Sequence, residues 1–554
     1  MYKNVSFVCQ KVIMLLLFPL VPRPLSQKQC NTTLRTGACS DKKKDTRQLS
    51  ISFVFISKMQ SNTDSSGTSG TYSQTVGLLY VFNLIVGTGA LALPKAFQSA
   101  GWLLSISLLT FSAFMSYVAA TFVIEALSVA NAVLSKKRRV EYDDVVVADG
   151  PSTFEIAKKV EVSEMASMFL SKVSLVFSYF AIIIYLFGDL AIYSTTVPKS
   201  VMNIVCSTIN ASIVKSSDPC HESWPEILTR MTVYRFFVIV FVVVVCLPMV
   251  IAGITKTRHI QIMTTLSRWA AFILMISLAT MQLSSQGAAA HPPAYNFHGF
   301  GSLFGCAVYA FMCHHSIPSL ITPMRTKENV FGKIAVVYGI VGVFYFTLSL
   351  TGAFAFEHVQ DIYTLNFLHD DNTSLVYSII DYFLALFPII TLTSSYPIIA
   401  LTLINNFKVV KDILCPKTGQ ENESLLEADN QIEDNDTDDE REARNGNPAR
   451  NEKTIFDVLV PTLVLALPTF LSLLTDDMLL LASITGSFPG VAVQFAIPCL
   501  LVTAARKHAR SVLNFPVPRK NNSPFQSPFW IMLISSWAGF SMIMVLLNLV
   551  GVKF

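Results

Sequence analysis

The sequence predicts an all-helical, polytopic membrane protein of about eleven transmembrane helices, with the first and the sixth broken. Three observations predict it. Charged residues are 14% of the 554, apolar residues are 52%, and the mean hydropathy is +0.51. An ordinary soluble domain carries about 25% charged residues, so this chain could not cover its own surface with polar groups. Apolar runs of the roughly 20 residues needed to cross a hydrocarbon core of about 30 Å recur along its length. Two of those runs are interrupted by Gly, His and Pro in ways a lipid-facing helix does not tolerate. Other classes are excluded. The 40 Phe rule out bulk disorder, 10 Cys are too sparse for a disulfide scaffold, and a net charge of +4 makes no case for nucleic acid. The short alternating segments of a membrane β-barrel are missing.

Residues 1–74 precede the spans. Val12–Val21 is a short apolar run after Lys3 and Lys11 that lacks a small-residue cleavage site. Met59 is a plausible true start, and the Ser-, Thr- and Gly-rich stretch 60–74 reads as a disordered cytosolic tail. Spans one to eight fill 75–404, at 75–99, 103–130, 168–198, 234–254, 261–283, 300–323, 334–356 and 375–404. Residues 405–453 are expected to be a disordered cytosolic loop, because Glu421 to Glu452 holds 12 acidic residues against 3 Arg and almost no aromatic residue. Within it, Glu421-Asn-Glu-Ser-Leu425-Leu426 looks like an acidic dileucine signal for sorting adaptors, which would direct the protein to endolysosomal membranes rather than leave it at the plasma membrane. The last three spans, 455–474, 478–503 and 528–551, lie in 454–554.

Loops after even-numbered spans carry most of the Lys and Arg, including Lys136 to Arg139, Lys256, Arg325, Lys327, Arg506 and Lys507. Positive loops stay in the cytosol, so the N-terminus is expected there and the C-terminus outside or in a lumen. Cys206 and Cys220 share an external loop, where an oxidising face permits a disulfide. Asn210 and Asn372 head glycosylation sequons on the same side.

The first span carries Gly87-Thr88-Gly89 in mid-membrane and Pro94 beyond it. Each Gly costs about 1 kcal/mol of helix propensity against Ala, and Pro removes a donor. A helix broken there points backbone N–H groups and a positive dipole end at an anion such as an amino acid carboxylate. Gly-x-Gly can equally serve close helix packing. The sixth span is interrupted between Gly305 and Pro318, around Tyr309 and the His314-His315 pair. Breaks in spans one and six occupy corresponding positions of two five-helix halves, as in inverted-repeat transporters.

Asn83-Leu-Ile-Val-Gly-Thr-Gly-Ala-Leu-Ala-Leu-Pro94 with Ala100-Gly101-Trp102 resembles the first-span signature of the amino acid/auxin permease family, which includes the sodium-coupled neutral amino acid transporters. Tyr185-Leu-Phe-Gly-Asp-Leu190, His315-Ser-Ile-Pro318, Tyr396-Pro397 and Gly486 to Pro498 are similar to its later motifs. The resemblance covers about 71–551 and implies a LeuT-type inverted-repeat fold and secondary active transport of amino acids, coupled to sodium or, failing that, to protons. A membrane amino-acid sensor or adaptor without flux is the rival reading. The substrate residues it implies are Gly87, Thr88, Gly89, Tyr309 and His315. Its coupling-ion residues are Asn83, whose amide oxygen is a hard ligand, with Thr393 and Ser394 of the eighth span. These hydroxyls can equally be interhelical glue.

Asp189, an acid in an apolar run, is either a proton or cation site or a structural partner near the external end of its span. His315 either titrates near neutral pH or sits hydrogen-bonded in the core. No metal-ligand spacing and no nucleophile–base arrangement is found, so neither a cofactor nor an enzyme is expected, with Na+ as the one ion in view.

Overall fold

The computed structural model describes residues 72–141, 151–206, 217–221, 224–225, 227–251, 258–368, 375–414 and 455–549. The N-terminal region to residue 71, both sequon asparagines and the dileucine motif lie outside them. The regular secondary structure of the described residues is helical, apart from two isolated β-bridges. Nine of their helices are long and apolar enough to cross a membrane, and the bent pair Gln74–Ile85 and Gly89–Ala100 makes a tenth. Ile455–Leu474, whose apolar stretch Leu459–Leu474 is shorter than a full span, lies where the ninth span was expected.

The first span bends by 50° between its halves. Pro94 does not break it, since the second half runs through Pro94 to Ala100. Its end is fixed by Gly101, where φ is +93° and a Cβ would lie 2.6 Å from the carbonyl oxygen of Pro293; only Gly accepts both conditions. The second span, Trp102–Glu141, outruns its expected end. A separate short helix, Val162–Phe169, precedes the third span, Lys172–Val205. The fourth, Arg230–Ile251, contains a π-turn at Phe241–Cys246 ahead of Pro248, and a single π-turn is a common way to absorb a local irregularity.

The fifth span is Arg258–Gln286. The sixth consists of Phe300–Ala310 and the short Ile317–Ile321, with a 3-10 turn at His314–Ser316 between them. The seventh and eighth are Val330–Ala355 and Leu375–Leu414. The acidic loop therefore starts later than expected, because residues 405–414 continue the eighth helix. The tenth, Met478–Ser511, carries π-turns at Gly486–Gly490 and Ala492–Ala496, and Pro528–Leu549 closes the set.

Small residues set how the spans approach. A Cβ on Gly89 would lie 2.6 Å from Cα of Ala310, and one on Gly486 would lie 3.1 Å from Cα of Gly305. Spans one and six, and six and ten, thus meet backbone to backbone, the role small residues have between membrane helices. Ahead of the first span, the Tyr72 N–H donates to Pro323 and its carbonyl accepts from the Arg325 N–H. The Tyr72 hydroxyl donates to Leu320 at 2.5 Å. Both broken spans are therefore tied together on either side of their breaks. Cys206 and Cys220 are joined as a disulfide across a sequence separation of 14.

Candidate functional site

The two interruptions meet. The first half of span one stops at Ile85, the second starts at Gly89, and Thr88 lies between them. The Thr88 hydroxyl is 2.9 Å from the Tyr309 hydroxyl, one residue before the first part of the sixth span ends at Ala310. Tyr309 in turn donates to Oδ1 of Asp189 at 2.6 Å. Thr88, Tyr309 and Asp189 are all buried. The chain therefore joins spans one, six and three through buried polar side chains that satisfy one another.

Asp189 is not where the sequence pointed. The third helix starts at Lys172 rather than 168 and continues to Val205 rather than 198, so Asp189 falls near its middle, facing the breaks. Gly188 makes this possible, since a Cβ there would lie 3.0 Å from that of Thr485. The ring of Tyr185, one turn earlier, is 6.3 Å from that of Tyr309 and 5.7 Å from that of His315. His315 thus borders the cluster, and its Nδ1 is buried with no hydrogen-bond partner among the described residues. His314 faces elsewhere, with Nε2 2.9 Å from the Ser116 carbonyl.

The two glycines of the first break differ. Gly89 abuts Ala310, whereas a Cβ on Gly87 would meet nothing closer than the Leu84 carbonyl at 3.8 Å. A side chain would have room at Gly87, whereas Gly89 is closed by its packing on Ala310. The amides of Ala90 and Leu91 fold back onto the carbonyls of Gly87 and Thr88.

Among the described residues no hydrogen bond joins Asn83 to Thr393 or Ser394, the three expected to hold a coupling ion. The Asn83 side-chain nitrogen donates to Thr265 at 3.1 Å, and the Ser394 hydroxyl donates to the Thr391 carbonyl at 2.8 Å. Thr393 and Ser394 are buried in the eighth span. Two residues overlooked in the sequence hold the break instead. Arg268 of the fifth span donates from Nη1 to the carbonyls of Asn83 and Val86. The Tyr345 hydroxyl lies 2.8 Å from the Ile85 carbonyl and 2.9 Å from that of Ala310, sharing one proton between the two breaks. Arg268 carried a signal, as a lone charge inside an apolar run. Tyr345 carried none.

Among the described residues no group of three or more His, Cys, Asp or Glu could hold a metal ion.

A profile of the family described as "Transmembrane amino acid transporter protein" matches residues 70–546. Transmembrane protein 104 homolog of Caenorhabditis briggsae is 98% identical over 90% of this chain and 100% of its own length. The homolog of Caenorhabditis elegans is 94% identical over the same shares. Human transmembrane protein 104 is 37% identical, over 87% of this chain and 97% of its own. Among solved structures, MhsT in complex with L-phenylalanine is a loose likeness, with a TM-score of 0.43 and 12% identity over 86% of this chain and 99% of that one.

Proposed function

The chain belongs to the transmembrane amino acid transporter family, and on that premise we propose that it moves an amino acid across a membrane by secondary active transport, at the joined breaks of the first and sixth spans. The observation that carries the reading is the buried Thr88–Tyr309–Asp189 chain at the point where both helices stop. Its chemistry suits a zwitterion. The second half of span one presents its positive end, with the amides of Thr88 and Gly89, to a carboxylate in the space beside Gly87. Main-chain carbonyls left where the sixth span stops can accept from an ammonium group.

Coupling to a cation, sodium or a proton, is part of the proposal. Asp189 is the ionisable group hydrogen-bonded to the breaks through Tyr309. The Asn83 side-chain nitrogen donates to Thr265 and the Ser394 hydroxyl to the Thr391 carbonyl, contacts that leave both side-chain oxygens able to face a sodium ion. The positive-inside count supports a cytosolic N-terminus and acidic loop, with the C-terminus outside or in a lumen. Sorting by adaptors at Glu421, Leu425 and Leu426 and glycosylation at Asn210 and Asn372 belong to the same proposal.

Uptake of a panel of radiolabelled amino acids into proteoliposomes of the full-length protein tests the reading, with a pH gradient, a sodium gradient or neither. Gradient-driven accumulation of at least one amino acid is expected. Saturable binding without accumulation would replace the transporter with the sensor.

A further inference from the structure

A helix that stops in mid-membrane leaves carbonyls without partners and a partial negative charge of roughly half an electron. The first half of span one stops in this way, and its terminal carbonyls need positive charge or donors. Either a cation from solution supplies them or the protein does.

Here the protein does. Nη1 of Arg268 is 2.6 Å from the Asn83 carbonyl and 3.2 Å from that of Val86. The intervening Ile85 carbonyl accepts from the Tyr345 hydroxyl at 2.8 Å and from the Gly87 N–H at 2.8 Å. Three of the four carbonyl oxygens from Asn83 to Val86 are thus engaged by donors from the chain. The register of the fifth span is held by the next residue, Trp269, which stacks on Phe82 with ring centroids 4.5 Å apart and planes 14° apart. A guanidinium stays charged at any physiological pH and, unlike a bound ion, cannot leave with the substrate.

We infer that Arg268 is a built-in cation, doing permanently at the break of the first span what a dissociable sodium ion would do there, so that the working cycle of this protein uses no sodium. The inference deepens the proposed transport reading and rests on it for the cycle. The electrostatic part stands on the contacts of Arg268 alone.

The test uses the purified full-length protein and needs no known substrate. Thermal unfolding midpoints are measured in sodium chloride and in N-methyl-D-glucamine chloride at equal ionic strength. The wild-type midpoint should be the same in both. A saturable rise in sodium would overturn the inference, because a ligand that binds the folded state raises its stability and the ion would still have a site to fill. Arg268→Lys should stay near the wild type, since one nitrogen bridging two carbonyls is a task an ammonium can perform, while Arg268→Met should lose stability. If Arg268→Lys falls as far as Arg268→Met, or if Arg268→Met matches the wild type, the charge is not what the break requires and the inference fails. Failure of the transport reading would appear separately, as no uptake of any amino acid tried, and would leave these midpoints as they are.

Discussion

The phenol of Tyr309 donates to the carboxylate of Asp189 over 2.6 Å, and the same oxygen lies 2.9 Å from the hydroxyl of Thr88. One tyrosine thereby links the acid of the third span to both broken helices. Its phenol has a single proton, which goes to Asp189, so the Thr88 hydroxyl is the donor in the second contact. A proton arriving on Asp189 would leave the carboxyl a poorer acceptor and free Tyr309 to turn toward Thr88. Protonation of the acid and the hydrogen bonding at the joined breaks are in this way a single arrangement.

Tyr309→Phe should therefore cut gradient-driven uptake and also lower the thermal midpoint, because it leaves the buried Asp189 carboxylate without its donor. A hydrogen bond to a charged group contributes about 1.5–3 kcal/mol, and about 1.4 kcal/mol is a factor of ten. The initial rate should fall about tenfold or more. Asp189→Asn should abolish the response to a pH gradient while leaving counterflow exchange measurable, a split that a purely structural role for the acid would not produce.

The neighbouring glycines should part company. Gly89→Ala puts a methyl 2.6 Å from Cα of Ala310, and overpacking of this kind typically costs about 1–3 kcal/mol. Its thermal midpoint should drop. Gly87→Ala has room and should keep the wild-type midpoint while losing uptake, because its methyl enters the space assigned to the substrate. Equal stability loss in both would remove Gly87 from the site.

Tyr345→Phe deprives two buried carbonyls, Ile85 and Ala310, of their shared donor. Leaving a buried polar group unsatisfied costs about 1–3 kcal/mol, so the variant should unfold at a lower temperature. Hydrogen exchange should rise on both sides of the breaks rather than throughout the bundle.

How much of this was legible depends on what kind of partner a residue has. The break at Gly87-Thr88-Gly89 announced itself, because Gly-x-Gly in an apolar run opposes helix formation locally, and the sixth-span break did so through His314, His315 and Pro318. The pairing of Thr88 with Tyr309 was out of reach: it depends on how closely Gly89 lets Ala310 approach, a distance across 221 residues of sequence. Arg268 was visible as a charge, but its partners are main-chain carbonyls, which no side-chain pattern encodes. Asp189 was misjudged because the start of the third helix was set four residues early and its end seven residues short, which moved a central residue toward one end.

Lys199, near the end of the third span, is 2.8 Å from Oδ2 of Asp361, and it also donates to the Asp476 carbonyl at 2.7 Å. The same Asp361 oxygen accepts from the Met478 N–H at 2.9 Å, at the start of the tenth span. The pair is largely shielded, with side-chain exposures of 13% and 11%, so neither charge can recover full hydration when the other is removed. Breaking a buried pair by deleting one partner costs about 3–5 kcal/mol, chiefly through the charge left behind. Lys199→Met and Asp361→Asn should each lower the unfolding free energy substantially, discounted toward the lower figure by the residual exposure. The double variant leaves neither charge stranded and should cost less than the two single losses added together. A double-mutant cycle on denaturant midpoints measures the difference. Strict additivity would mean that the two residues act independently, and that the third and tenth spans are not fastened through this pair.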